Sequence, residues 1–249
     1  MTDLHLDKLP PDTRGLFEFF AAQPEMNGRF VLTVGTAITL HHGHRRSEDL
    51  DFYSLTPKLP RRALDTLLQR IETAFEKPLL AIREEAIEDF ENEGGNALAD
   101  YQQNYTVGKV KLTFFAEHDA AQIAFTKTHV GARYGEIAIL SSPALFAMKS
   151  RLIMKRTTSR DLFDLWFYLS GGHHSMKELA GYAMTEARTD WEGVRLRLLP
   201  VRLPSTDPGF EGMISDGPRT FEALIGALRA LADEYEQGPR LDEVSGGTP

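Results

Sequence analysis

Two aspartates one residue apart, Asp49 and Asp51, are the side chains of this sequence best placed to do chemistry. In an extended segment alternate side chains share a face, so Asp49, Asp51 and Tyr53 point one way and Leu50 and Phe52 the other. Two carboxylates held that close repel each other unless a cation or a positive side chain neutralises them. Hard divalent cations accept such oxygen ligands, and Mg2+ is commonly held by one or two carboxylates together with substrate phosphates. A solvated strand edge carries the same pair without any ligand, so the neighbouring residues must decide between the two readings.

Just upstream the chain reads TVGTAITLHH from Thr33 to His42. A strand over Arg29 to Val34 that ends at Gly35, followed by a helix over Thr36 to His42, sets free backbone N–H groups and the positive end of a helix dipole at Gly35-Thr36. That is a seat for phosphate. Glycine at such a turn also serves conformation alone. His41, His42 and His44 lie close to the aspartates in sequence, which opens a second reading as a His/Asp metal site of a metal-dependent phosphohydrolase. Adjacent His41 and His42, however, leave a helix in different directions.

The elements that must position these groups follow from periodicity. Pro10 and Pro11 open a packing helix through Leu16, Phe17, Phe19 and Phe20. Asp49 to Ser54 is a strand, and Pro60 to Phe75 is an amphipathic helix carrying Leu64, Leu67, Leu68 and Ile71 on one face. Strands follow at Leu79 to Arg83, at Tyr101 to Phe115 with a break at Gly108, and at Glu136 to Leu140. The acidic, glycine-containing link from Glu84 to Asp100 reads as a solvated loop. After Leu140 the pattern turns helical. Ser142-Pro143 starts a helix to about Arg156, and others run over Ser159 to Leu169, Met176 to Arg188 and Arg219 to Tyr235. The expected organisation is an α/β core over residues 1–140 with a mixed sheet, a helical domain over 141–237 that closes the cleft, and a loose tail over 238–249.

Composition limits what such a protein can be. The chain has 249 residues, 42% hydrophobic and 26% charged, enough to bury one or two cores. It has no cysteine, which excludes disulfides, thiolate metal sites and cysteine nucleophiles. A formal net charge of -8 argues against broad affinity for nucleic acid and leaves room for a local basic patch. The first residues lack a basic and an apolar region of the signal-peptide kind, and no stretch approaches the roughly 18 consecutive apolar residues of a spanning helix. A cytoplasmic protein, neither secreted nor in a membrane, is expected.

Taken together, Gly35-Thr36-Ala37 and the run Gly43-His44-Arg45-Arg46-Ser47-Glu48-Asp49-Leu50-Asp51-Phe52 closely resemble the AbiEii/AbiGii toxin family, within the DNA polymerase beta-like nucleotidyltransferase superfamily. The family signature reads GGTAL...GHRxSxDLDF, and Val34 stands here where the first glycine is usual. A second stretch of resemblance is Met148-Lys149, then Arg156, then Arg160-Asp161-Leu162-Phe163-Asp164-Leu165, against a family pattern of a helix lysine, an arginine seven residues on and RDxxDL. Leu145, Lys149, Leu152 and Arg156 are spaced to share one helix face. A lysine in an apolar stripe must snorkel out or face something negative.

The resemblance implies a nucleotidyltransferase that moves an NMP from an NTP to an acceptor, RNA such as tRNA being favoured, as the toxin of a toxin-antitoxin or phage-defence pair with a cognate antitoxin. It implies Mg2+ (or Mn2+) on Asp49 and Asp51, and a catalytic set of Asp49, Asp51, Lys149 and Asp161. Nucleotide binding falls to Gly35, Thr36, Arg46, Ser47, Lys149 and Arg156. Asp161 would orient Lys149 or the attacking hydroxyl, unless it is only a capping acid with Thr158 or Ser159; Asp164 reads as structural. Related enzymes often supply a third carboxylate from a later strand, where this sequence has Thr113, with Glu117 of the same parity beyond it. That departure keeps open a nucleotide-binding interaction module with little turnover.

Overall fold

In the computed structural model of the chain, the described residues are 4–75, 77–80 and 98–238. The chain divides into two compact units, Met1–Leu145 and Phe146–Pro249. The first is built on a mixed seven-stranded sheet. Its strands are β1 Phe30–Leu32, β2 Leu50–Ser54, β3 Leu79–Leu80, β4 Gln102–Val107, β5 Val110–Phe115, β6 Val130–Tyr134 and β7 Ile137–Leu140. They lie in the order β3-β4-β5-β2-β1-β7-β6. β2 runs antiparallel to β1 and parallel to β5, and β1 runs parallel to β7. The α/β class with a mixed sheet followed by helices, expected from the sequence, is the class observed.

Strand alternation gives the sheet two unlike faces. Phe30, Phe52 and Phe114 share one face with α1 (Pro11–Ala21), whose Phe20 ring lies 5.1 Å from Phe52 and 6.0 Å from Phe114. All four rings are fully buried. Burial of that size stabilises by roughly 1.5–3 kcal/mol per side chain. The helix α3 (Arg61–Ala74) adds Leu64, Leu67 and Ile71 to the buried set. On the other face Asp51 pairs with Thr113 of β5, and Thr113 with Asn104 of β4, so these three polar residues form one row across the sheet.

Several boundaries differ from the sequence expectation. β1 stops at Leu32, and the next helix, α2 (Val34–His42), starts two residues earlier than Thr36 because Thr33 is extended and Val34 turns the chain at once into the helix. Gly35 and Thr36 therefore lie inside its first turn. Asp49 precedes β2. Gly108 takes a left-handed φ of 57° and makes the β4–β5 break a hairpin. Helix α4 (Ala120–Thr128) and strand β6 were not anticipated: α4 buries only Ile123 and Thr126, and β6 is a short edge strand, so neither carries a strong apolar period. The expected Leu79–Arg83 strand is seen at Leu79–Leu80; the rest of it, residues 84–97 of the acidic link and 239–249 of the tail lie outside the described residues.

The second unit is helical. α5 (Ser142–Leu152) spans the division between units, and α6 (Ser159–Ser170), α7 (Met176–Ala187), α8 (Trp191–Leu198) and α9 (Phe221–Gln237) follow. Side-chain caps fix their starts. Thr158 accepts the Asp161 N–H at 3.2 Å, Ser175 forms a capping box with Glu178, Asp190 accepts the Gly193 N–H at 3.0 Å, and Thr220 accepts the Ala223 N–H at 3.2 Å. Each such cap is worth about 1 kcal/mol. α5 ends at Leu152, so Arg156 lies beyond it and does not continue a helix face with Lys149, contrary to the spacing argument. Among the described residues no helix is long and apolar enough to cross a membrane.

Candidate active site

Asp49 and Asp51 are held by a web of short-range hydrogen bonds around the link after α2. Gly43, left-handed at φ 62°, ends that helix with its N–H on the Thr39 carbonyl at 2.8 Å. Thr36, buried in the first turn of α2, shares its hydroxyl with Ser47 Oγ at 2.8 Å and donates to the Asp49 carbonyl. The Thr13 hydroxyl of α1 donates to the Glu48 carbonyl at 3.0 Å. On the β1 side, the Thr33 N–H and hydroxyl reach the Asp51 carbonyl at 3.0 and 3.3 Å. The backbone of both aspartates is thus anchored, while both side chains stay only half-buried.

The same bonds leave the start of α2 without a cap from Thr33. Thr33 is the residue before α2, where a hydroxyl usually caps the first-turn N–H groups, yet it makes no side-chain cap bond because that hydroxyl is committed to Asp51. The first N–H groups of α2, at the positive end of its dipole, thus make no hydrogen bond to the Thr33 side chain. Gly35 is required by packing. A Cβ there would stand 2.6 Å from the Arg45 guanidinium. Arg45, 4% exposed, is consequently tucked against this turn and donates to the Arg46 carbonyl at 2.9 Å. The arginine named for nucleotide binding from sequence was Arg46, which is exposed. Arg45, the arginine of the GHR signature, was not named for nucleotide binding. Val34 adopts φ 57°, a left-handed conformation that a β-branched side chain resists.

His41 and His42 have hydrogen-bond partners away from this set. His41 Nε2 lies 2.8 Å from the Leu140 carbonyl and His42 Nε2 2.6 Å from Ser142 Oγ, so both rings help tie α2 to the β7–α5 connection. Burial pushes the His41 pKa down, against the Leu140 carbonyl, and favours the neutral ring. Among the described residues no group of three or more His, Asp or Glu stands together as a metal set. Thr113 is the register partner of Asp51, so β5 brings a hydroxyl and no carboxylate to that row. Glu117 lies past the end of β5 and is exposed. Two hard, half-buried carboxylates beside an uncapped helix start fit Mg2+, whose other ligands are waters and phosphate oxygens.

In the second unit the sequence-selected residues do come together, though not with Lys149 open to solvent. Its ammonium, 2% exposed, contacts Asp161 Oδ1 and lies 2.8 Å from Asp164 Oδ2. The negative groups it faces are thus carboxylates of its own chain. Arg156 Nε lies 3.4 Å from Asp161 Oδ2, and its side chain is 58% exposed. Burial would raise the Asp161 carboxyl, but the charges of Lys149 and Arg156 outweigh it and hold that carboxyl below its ordinary range. Asp161 also donates its backbone N–H to the Thr158 cap. Asp164, completely buried, is as much a partner of Lys149 as Asp161 is. The four groups balance two positive charges against two negative ones.

Comparison with known proteins places this geometry. The family model described as nucleotidyl transferase AbiEii toxin, type IV TA system, matches residues 16–243. Among solved structures, a Helicobacter pylori protein assigned as a nucleotidyltransferase is 18% identical, with 96% of this chain and 100% of that one covered at a TM-score of 0.49. JHP933 from Helicobacter pylori is 17% identical, with 95% and 99% covered at 0.47. MenT4, a nucleotidyltransferase toxin from Mycobacterium tuberculosis H37Rv, is 12% identical, with 92% and 86% covered at 0.49. At such identities and TM-scores these are likenesses only. No curated protein matches. The family match, which spans nearly the whole chain and both sets of site residues, settles the assignment: the chain belongs to the AbiEii family of nucleotidyltransferase toxins.

Proposed function

We propose that this protein is a metal-dependent enzyme that transfers an NMP from an NTP to the hydroxyl of an RNA acceptor, tRNA being the favoured one. The observation that carries the proposal is the half-buried Asp49–Asp51 pair beside the uncapped start of α2. The N–H groups of Gly35 and its neighbours, with Arg45, hold the β- and γ-phosphates. Thr36 and Ser47 act through their mutual hydrogen bond by fixing the link that bears Asp49. Asp49 and Asp51 would hold Mg2+ (or Mn2+), which when bound offsets charge on the phosphates and lowers the barrier to displacement. With the charge of the phosphates offset in this way, catalysis would be mainly positioning and electrostatics.

Arg156, more than half exposed, is proposed as a phosphate-binding cation, held in place by Asp161, which is itself paired with Lys149. The working context is the cytoplasm, with a cognate antitoxin as protein partner. The test is incubation with each α-labelled NTP, Mg2+ and total tRNA, in parallel with Asp51→Ala. Label on RNA that disappears in the variant is the expected result. Nucleotide binding without transfer to any acceptor would instead favour an interaction module, a reading motivated by Thr113 in place of an acid.

A further inference from the structure

The proposed phosphate seat and the β5–β4 side of the sheet lie on opposite flanks of β2. The strand order places β1, and with it Thr33 and the start of α2, on one flank of Asp51, and β5 then β4 on the other. Displacement at phosphorus is in line: the oxygen–phosphorus bond to the acceptor forms opposite the bond that breaks to pyrophosphate. With pyrophosphate leaving toward α2, the attacking hydroxyl must arrive over β5 and β4.

What lies there is decided by register. Thr113 stands beside Asp51 and Asn104 beside Thr113, in steps of about 4.8 Å. In the next row Phe115 sits between Tyr53 and Gln102, and in the previous one Lys111 pairs with Thr106. These side chains share the face of Asp51 by parity. Lys111 and Gln102 are exposed, and Thr106, Asn104, Thr113 and Phe115 are half-buried. Gln102 Nε2 donates to Asn104 Oδ1 at 3.1 Å, a bond that uses the Asn104 oxygen and none of its amide N–H donors. Of the six only Lys111 is charged, and Glu117, of the same parity, stands exposed past the end of β5.

We infer that the β4–β5 face is the acceptor-binding surface and that it takes the single-stranded, hydroxyl-bearing end of a nucleic acid. Unstacked bases are held by aromatic faces and by amide hydrogen bonds to their edges, and their phosphodiesters by a cation. Phe115, the Asn104 amide and Lys111 supply one of each beside the reacting row. The hydroxyl oxygen bonds to the α-phosphorus, pyrophosphate departs with the electron pair of the broken bond, and the hydroxyl proton passes to water, since Thr113 cannot accept it. This assignment rests on the transferase reading above.

Its test separates the two. Binding of a fluorescein-labelled single-stranded RNA oligonucleotide to the full chain is followed by anisotropy, alongside transfer from labelled NTP to the same oligonucleotide. Phe115→Ala is expected to weaken oligonucleotide affinity by roughly tenfold. Phe115→Tyr should retain it, and NTP affinity should stay unchanged in both. Lys111→Glu, at an exposed position that tolerates substitution, should weaken binding several-fold and lower its salt dependence. Unaltered oligonucleotide binding in all these variants, a loss of NTP affinity in its place, or transfer only to a protein or small molecule would overturn the inference. Transfer to RNA that the variants do not affect removes this surface and leaves the transferase reading intact. Binding that the variants weaken, without transfer by the wild type, does the opposite.

Discussion

Two pairs of aspartates in this chain have opposite fates. Asp49 and Asp51 lie at the start of a strand, half-buried, with their backbone carbonyls anchored by Thr36 and Thr33. Asp161 and Asp164 lie one helical turn apart on α6, almost wholly buried, with Lys149 between them. A carboxylate taken out of water must be paired within the protein, because its desolvation costs several kcal/mol. One at a half-open surface keeps contact with water and can also meet a cation brought by a substrate. Burial, and not residue type, therefore separates the pair locked to Lys149 from the pair proposed above to hold a metal ion.

The contrast can be broken most severely at Lys149. Lys149→Met would strand two buried carboxylates and is expected to destabilise the protein by about 3–5 kcal/mol, measured as a lower urea midpoint. Adding Asp161→Leu and Asp164→Leu to that variant should recover much of the loss, whereas an unchanged midpoint in Lys149→Met would show that the cluster is not held as described. At the other pair the effects should be reversed. Asp51→Asn is expected to cut NMP transfer by at least about a hundredfold, yet to change unfolding free energy by no more than about 0.5 kcal/mol. A large stability loss there would mean that Asp51 too is structural.

A smaller effect sharpens the picture of the phosphate turn. Val34→Gly removes a β-branched side chain from φ 57°. Relief of roughly 1–3 kcal/mol of strain, against 0.5–1 kcal/mol or so for the freer unfolded glycine, should leave a gain of about 1 kcal/mol in thermal or urea unfolding. The least effect near neutrality comes from pH. The folded Asp161 carboxyl is held below its ordinary 3.8, with burial opposed and outweighed by Lys149 and Arg156. The unfolded chain therefore takes up the proton first, so this stabilisation is complete above that value and is lost as pH falls through the lowered one. Urea midpoints followed downward from pH 5 should drop less steeply in Asp161→Asn than in the wild type. Arg156→Ala, more than half exposed, should cost no more than about 1 kcal/mol.

Much of the arrangement was legible in advance where chemistry depends on local order. The alternation at Leu50–Phe52, the Gly35-Thr36 turn, the cap at Thr158 and the amphipathic helix at α3 are all short-range patterns, and each appears near its expected place. The features that were missed depend on neighbours distant in sequence. His41 and His42 looked available to a metal until α2 packed beside residues about a hundred positions later, at Leu140 and Ser142. Arg46 was the arginine chosen from the sequence, and it is Arg45 that the fold turns inward against Gly35.

Sequence alone determined the family, the α/β class, and the paired carboxylates beside a glycine turn, because these reside in residue types at fixed spacing. Only the tertiary structure decided which charges are internal. Lys149, Asp161 and Asp164 satisfy one another because α5 and α6 bury them together. It likewise set Thr113 and Asn104 in line with Asp51, since strand register is fixed by pairing across the sheet and cannot be read from any one strand.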